Sequence, residues 1–500
     1  MSIRSTSIRK NPRTEAPLAT KHAAWSHRLT GVVGAAAAVA ISTTAASAGG
    51  PLIRVSQASP YAACHSPSHG ATVYTNAETW PQVATNPANQ NNLIGAWQQD
   101  RWTNGGNRGL VAGYSFDGGR TWNQTTLPFS RCAPGGLDYE RAADPWVSIG
   151  PDGTAYAVSL SESNPFSGPT AIAAVTSKDG GRSWGNLRVI QADTNGAVFV
   201  NAKPSVTADP THAGTAYVVW DRSRTAPAGH FRQPAMFSRT TDWGRTWSTP
   251  RAIAATGMDE YGTGNVILVN SRTHRLYDFY TFFFCTCAST PEIQYETSDD
   301  LGTTWSGSHI VNTLDALGVT DPNTGQPVGS EFSATSQAID PASGAIYIAW
   351  QSPRFHGGTY DEIAFSSSTD GKTWTPEVQI STPTGLPAFL PTLAVANGVV
   401  GLTYYDFRNL APNNISTLPT DLWFKNSNDG GATWSADQHL AGPFDMKAAP
   451  LVSFGYAIGD YQGLTGAGNV FVPFFVKTNC SAAPCDANRT DVYATRLTPA

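Results

Sequence analysis

Charge is scarce in this chain. Of its 500 residues only 14% are Asp, Glu, Lys or Arg, which argues against long surface helices. No cluster of basic residues interleaved with aromatics occurs, so a nucleic-acid partner has no electrostatic footprint. Long hydrophobic runs are rare too: apart from one apolar stretch near the N-terminus, no segment is long enough to cross a bilayer. Around the cysteines, no histidine or second thiol pair stands at zinc-site spacing. What the chain does have is Gly 47, Pro 34 and Trp 15, with 40% hydrophobic residues. That mixture predicts many short strands joined by turns around a continuous core.

The one apolar run sits behind a basic stretch. Arg4, Arg9, Lys10, Arg13, Lys21 and Arg28 precede the run Leu29 to Ala40, and Ala46-Ser47-Ala48 closes the segment with small residues. This order predicts a signal peptide over residues 1–48 and a secreted, extracellular protein with no membrane attachment after cleavage. A membrane anchor is the alternative. Without the leader the chain holds 26 Lys+Arg against 36 Asp+Glu, a formal charge of −10 in place of −5, which again disfavours nucleic acid. All six cysteines lie in the exported part, and an even count there predicts disulfides. Cys480 with Cys485 would close a short loop, and Cys64 with Cys132 would staple the N-terminal segment to the first repeat. Cys285-Thr286-Cys287 is the odd case, because a bridge at that spacing is strained.

Internal repetition is the strongest signal. Six segments share the form Ser/Thr-x-Asp-x-Gly-x-Thr/Ser-Trp, an Asp box, and they end at Trp122, Trp184, Trp247, Trp305, Trp374 and Trp434. The fifth, Ser368 to Trp374, is one residue short. The Trp-to-Trp intervals are 62, 63, 58, 69 and 60 residues. Ser and Asp side chains can accept N–H bonds inside a turn, and Gly supplies positive φ. The motif is therefore read as a hairpin stitch rather than a ligand site. Between the boxes runs a second element, two strands with a turn, exemplified by Asp144-Pro145-Trp146-Val147 leading to Ala155–Val158 and Lys203-Pro204-Ser205-Val206 leading to Tyr217–Trp220.

Each period thus supplies four strands, A to D, and such a unit must stack radially to bury both faces. The expected fold is all-β, a propeller of four-stranded blades with seven blades, six being the alternative. Residues 49–74 form an N-terminal extension whose strand Ile53 to Ser56 closes the ring, and residues 75–500 form a single propeller domain. Asp boxes are C–D turns and mark the back face. The front is built from the loops after strand B and before strand A, where the charges collect: Asp100-Arg101, Asp221-Arg222, Arg354 and Asp406-Phe407-Arg408, with Asp138 to Asp144, Asp259-Glu260-Tyr261, Glu331 and Asp460-Tyr461. Arginines at equivalent places on a ring can converge on one carboxylate. Equally, each Asp-Arg pair can satisfy itself as a local salt bridge. A pocket at the axis is the expected ligand site.

The Asp boxes and blade pattern resemble the sialidase (neuraminidase) superfamily over roughly residues 75 to 498. The resemblance implies cleavage of terminal sialic acid, an arginine triad on the sugar carboxylate, a tyrosine nucleophile activated by glutamate, and an aspartate acid/base. Tyr461, in Asp460-Tyr461-Gln462-Gly463-Leu464, matches the nucleophile's setting, and Glu331 stands for its partner. Arg101 matches the arginine after the first B strand. Thr79-Trp80-Pro81 occupies the place of the family's first triad arginine, so the proline is present and the arginine is not. The acid/base position reads Asn104 and Asn107, leaving Asp100 as the nearest carboxylate, with Glu140 and Asp144 as further proton donors. Arg141, Arg222, Arg354 and Arg408 complete the candidate substrate-binding set.

Three functions are compatible with this reading. The first is a sialidase-like glycoside hydrolase acting exo on terminal sialic acid or a related glycan. The second is a glycosidase or lyase for another polysaccharide. The third is a non-catalytic glycan-binding propeller, for which Trp102, Trp146 and Tyr360 would supply stacking faces. The expected partner is a glycan in each case, the expected state a monomer, and no cofactor is called for. Structural Ca²⁺ at the loop Asp315 to Asp321 is the alternative, although acidic residues are sparse there.

Overall fold

The computed structural model describes residues 50–165, 167–225, 230–254, 256–284, 289–329, 334–479 and 489–499. The fold is an all-β propeller. Its described helices are two single 3-10 turns, Arg354–His356 and Met446–Ala448, and none is long and apolar enough to cross a membrane.

Strands follow one another as antiparallel meanders. Arg141–Ile149, Ala155–Glu162, Thr170–Ser177 and Gly185–Asp193 pair in chain order, and Ala388–Ala396 through Gln438–Asp445 repeats the pattern. The six repeated Ser/Thr-x-Asp segments are the turns between third and fourth strands, and they are built locally. In the fourth of them Ser298 Oγ donates to Asp300 Oδ1 at 2.8 Å and Gly302 N–H donates back to Ser298 Oγ at 2.9 Å. Asp300 then accepts the N–H of Thr304 at 2.7 Å and its hydroxyl at 2.7 Å. Ser427, Asp429, Gly431 and Thr433 repeat this network. Gly302 and Gly431 have φ of 78° and 96°, a region costly for any residue with a Cβ.

The blade count differs from the expectation. The described strands hydrogen-bond into five sheets of four or more strands, not seven or six, with one further sheet of three. The largest holds twelve strands because single bridges fuse neighbouring meanders, Ala77 with Thr490 and Asn107 with Ala142. Sequence periodicity counts repeats, whereas such lateral bridges are set by how closely two repeats pack. The strand Ile53–Arg54 lies beside Thr490–Ala494, so the two ends of the described chain meet in one sheet.

Inner strands are stitched to one another at about one repeat's separation. Ala208 N–H donates to Ser148 Oγ, Ser205 and Thr207 hydroxyls donate to the carbonyls of Asn265 and Ile267, and Leu393 N–H donates to Ser336 Oγ. Outside this ring the sheets pack through large aromatic side chains. Trp97, Trp220 and Trp350 are fully buried on second strands, each removing roughly 200 Å² from water. Trp97 and Trp220 find partners for their indole N–H in Gln99 and Asn201. One disulfide, Cys64–Cys132, ties the N-terminal segment to the loop after Asn123–Leu127. The other four cysteines lie outside the described residues.

Candidate functional site

Five inner strands share a local irregularity that builds the site. Register slips between Thr79 and Gln82, Ala143 and Trp146, Ala202 and Ser205, Thr263 and Val266, and Phe389 and Thr392. Inside each slip one residue takes positive φ: Trp80 52°, Asp144 52°, Lys203 47°, Gly264 71° and Leu390 51°. Four of these five precede a proline. A bulge turns a side chain out of the pleat's alternation, and positive φ at a non-glycine residue persists only where surrounding packing enforces it. Asp144 and Lys203, on neighbouring inner strands, are thereby aimed at the axis.

A cavity of about 60 Å³ lies between these bulges, lined by Asp144, Trp146, Lys203, Thr263, Asp460 and Tyr461 among others. A second of about 90 Å³ shares Trp146, Asp460 and Tyr461 and continues along Gln82, Gln337 and Leu390. Lys203 links the two carboxylates: its backbone N–H donates to Asp144 Oδ2 at 3.1 Å and its ammonium lies 3.0 Å from Asp460 Oδ2. Trp146 and Tyr461 meet edge to face with ring centroids 5.2 Å apart. Arg101 stacks over Trp80 at 4.6 Å. Burial pulls its guanidinium down, while the charges of Asp460, Asp144 and Glu162 oppose that pull. Deeper in, Asp221 accepts from Thr263 Oγ1 and Asn265 Nδ2 at 2.7 and 2.6 Å, and burial pushes it up to about 6 against those bonds and Lys203.

Of the residues singled out in the sequence, Asp144 and Tyr461 line the cavity and Arg101 sits beside it. Tyr461 Oη donates to the Pro145 carbonyl at 2.9 Å. Burial, then Asp144 and Asp460, hold its phenol well above the ordinary value, the opposite of an activated nucleophile. Asp100 is fully buried at φ 63° and anchors Ser59 Oγ, Asn76 N–H and Arg108. Glu140 accepts from Asn164 N–H and pairs with His69 at 2.6 Å. Glu331 lies outside the described residues.

The arginines are each held by their own partners. Arg222 grips Asp193 through two nitrogens at 2.9 and 2.6 Å and lies over Phe199. Arg354 pairs with Asp315 and Glu377. Arg408 pairs with Asp406 and Asp437 over Trp423. Arg141, fully buried over Trp102, donates to Asn104 Oδ1 and to the carbonyls of Gly105 and Ser68. Burial lowers it to about 10. Neither these four nor Arg101 is among the residues lining the axial cavity. Tyr360 stacks on His356 and Trp102 is covered by Arg141, so neither shares the Trp146 wall. Among the described residues, no group of three or more His, Cys, Asp or Glu is placed to hold a metal ion; in the loop Asp315 to Asp321, Asp315 pairs with Arg354 and Asp321 with Lys447.

Sequence reasoning misses Lys203 as a site residue. Its signal is a place before proline on an inner strand, the place Asp144 holds one repeat earlier.

No family model matches this chain, and no curated protein matches it. Similar solved structures do exist. An α-L-arabinanase of Penicillium chrysogenum, complexed with arabinobiose, is 13% identical with a TM-score of 0.46, covering 90% of this chain and 98% of that one. A Hadza microbial sialidase is 16% identical with a TM-score of 0.45, covering 77% and 72%. A protein of unknown function from Dyadobacter fermentans is 15% identical with a TM-score of 0.44, covering 67% and 93%. Sialidases are thus among the structures this chain is similar to. At these identities and scores the likeness carries no assignment of activity.

Proposed function

We propose that the protein is a glycoside hydrolase that removes a terminal sugar from a glycan at the axial cavity. One observation carries this reading: Asp144, on an inner-strand bulge, and Asp460, in the loop before another inner strand, face one cavity whose wall is the Trp146–Tyr461 pair. Two carboxylates beside a sugar supply what glycoside hydrolysis needs, charge stabilisation of an oxocarbenium-like transition state and activation of water. The aromatic wall offers a face for an apolar side of the sugar ring. Tyr461 belongs to that wall in this reading, since its hydroxyl is committed to Pro145.

The substrate follows from the cations. Lys203 is the one cation among the described lining residues, and Asp460 occupies it. A sialic acid carboxylate would need converging guanidinium groups, but Arg222, Arg354 and Arg408 grip carboxylates of their own, Arg141 is spent on Asn104 and backbone carbonyls, and Arg101 stacks on Trp80 outside the lining, so a terminal sugar without a carboxylate is favoured over sialic acid. Binding without cleavage is the second reading, and the small cavity favours it.

The test is hydrolysis of a panel of fluorogenic exo-glycosides, pentosides, hexosides and a sialoside, by the full chain and by Asp144→Asn and Asp460→Asn. Cleavage of a neutral member, reduced about a thousandfold or more in each variant with the fold intact, supports the assignment. A protein inert on every member moves the assignment to glycan binding, which a glycan array then measures.

A further inference from the structure

The five bulges stand at equivalent places on their inner strands, and four of them carry a large or charged side chain: Trp80, Asp144, Lys203 and Leu390. The fifth is Gly264, on the strand Tyr261–Val269. That strand lies beside the one carrying Lys203, stitched to it by the hydroxyls of Ser205 and Thr207. Gly264 lines the axial cavity together with Asp144, Lys203 and Asp460.

Neither of the usual reasons for a glycine holds at this position. Packing is the first: at Gly302 and Gly431 a Cβ would run into the rings of Phe237 and Phe365. At Gly264 a Cβ would have no described atom within 4 Å beyond its two neighbours in the chain. Conformation is the second. Gly264 has φ 71°, while Trp80, Asp144, Lys203 and Leu390 hold the equivalent place at 47° to 52°, so the repeat accommodates a Cβ there despite its cost. The gap is also firmly held. Thr263 Oγ1, Gly264 N–H and Asn265 Nδ2 all donate to Asp221, at 2.7, 3.4 and 2.6 Å, so one buried carboxyl pins the tripeptide from inside the fold.

We propose that Gly264 determines the specificity of the axial site: the gap it leaves receives the terminal sugar beside Asp144 and Asp460 and limits that sugar's size. The proposal rests on the reading of this cavity as the glycan site. Space at the axis that neither packing nor backbone conformation requires is space a ligand can fill. A glycine presents only its Cα hydrogens and peptide groups, so a sugar ring can pass close over it, while the Trp146–Tyr461 pair supplies the wall. A side chain at this position would stand where the sugar sits, in the cavity that Asp144 and Asp460 also line.

The experiment measures kcat/KM and, by calorimetry, Kd for umbelliferyl pentosides and hexosides with wild type, Gly264→Ala, Gly264→Leu and Gly264→Trp. Backbone strain enters with the first side-chain carbon, so the three variants should share one small fall in thermal midpoint, under about 4 °C. Bulk rises along the series. On the sugar the wild type prefers, kcat/KM and affinity should fall about tenfold in the alanine variant and about a hundredfold or more in the leucine variant. The tryptophan variant should be inactive, and in the alanine variant a pentoside should lose less than a hexoside. If the two larger variants fail to fold, that pentoside–hexoside difference decides alone. A leucine or tryptophan variant that matches wild type overturns the proposal and leaves the site reading standing, as does a loss in Gly264→Ala equal for both sugars. A wild type that binds without cleaving overturns hydrolysis, and the Kd series still judges Gly264. A wild type that neither binds nor cleaves overturns both.

Discussion

Carboxylates at the rim of this propeller and carboxylates in its interior live under opposite rules. At the rim, Asp300 and Asp429 sit at the surface, yet both are held at about 2. For Asp300 the N–H of Thr304 leads and its hydroxyl follows; for Asp429 the hydroxyl of Thr433 leads and its N–H follows. In the interior, burial alone lifts Glu296 to about 8. Asp278, opposite it on the next strand, is lifted well above the ordinary range by burial, then by Glu296 and Asp221. Both Asp278 oxygens and one of Glu296 lack hydrogen-bond partners among the described residues. The rim residue is surrounded by donors from its own turn; the interior residue depends on what another repeat presents, and little is presented. Proton-holding carboxyls therefore gather inside, where chemistry can use them.

The axial residues test that division hardest. Asp144→Asn or Asp460→Asn is expected to remove about a thousandfold of turnover with little change in the unfolding midpoint; equal loss of fold would make them interior struts instead.

Next is Glu296. A folded value raised to about 8 means the native state binds that proton more tightly than the unfolded chain. Its contribution is complete below the ordinary carboxylate range and is lost as pH climbs through about 8. Urea unfolding of wild type should weaken between about pH 5 and 8, by up to about 4 kcal/mol, and Glu296→Gln should flatten that slope. A slope unchanged in the variant would mean the carboxyl is solvated.

The smallest effect belongs to a single rim turn. Asp117 accepts two backbone N–H groups and the Thr121 hydroxyl, and Asp117→Ala should cost about 1–2 kcal/mol. Despite some burial these bonds hold it at about 2, so the contribution is present above about pH 4 and fades as pH falls towards about 2. The variant's deficit, measured by thermal unfolding, should shrink across that window. A deficit that persists at about pH 2 would mean the turn is held by something other than the ionised carboxylate.

Some of the site is legible in the residues alone. A place at the entry to an inner strand singles out Asp144 and Tyr461, and both line the cavity. Asp144-Pro145 and Lys203-Pro204 mark the bulges in their composition, since proline has no N–H for the ladder and is tolerated inside a strand mainly at a bulge or edge. The arginines are legible only as a choice between convergence and local pairing. Arg408 does pair locally with Asp406, but other partners stand at 29 residues, for Arg222 with Asp193 and for Arg408 with Asp437, and at 23 for Arg354 with Glu377. No spacing rule reaches across such intervals.

By itself the sequence determined the strand-and-turn grammar: the repeated turns, the all-β class and the positions of the inner strands. Every donor a turn needs lies within four residues of its acceptor, so local chemistry suffices there. Tertiary structure alone decided that five sheets of four or more strands form rather than seven or six, that Lys203 joins Asp144 to Asp460, and that both Asp278 oxygens go without partners among the described residues. Each depends on which repeats abut and which polar atoms burial leaves unsatisfied, and these are properties of the closed ring rather than of any stretch of chain.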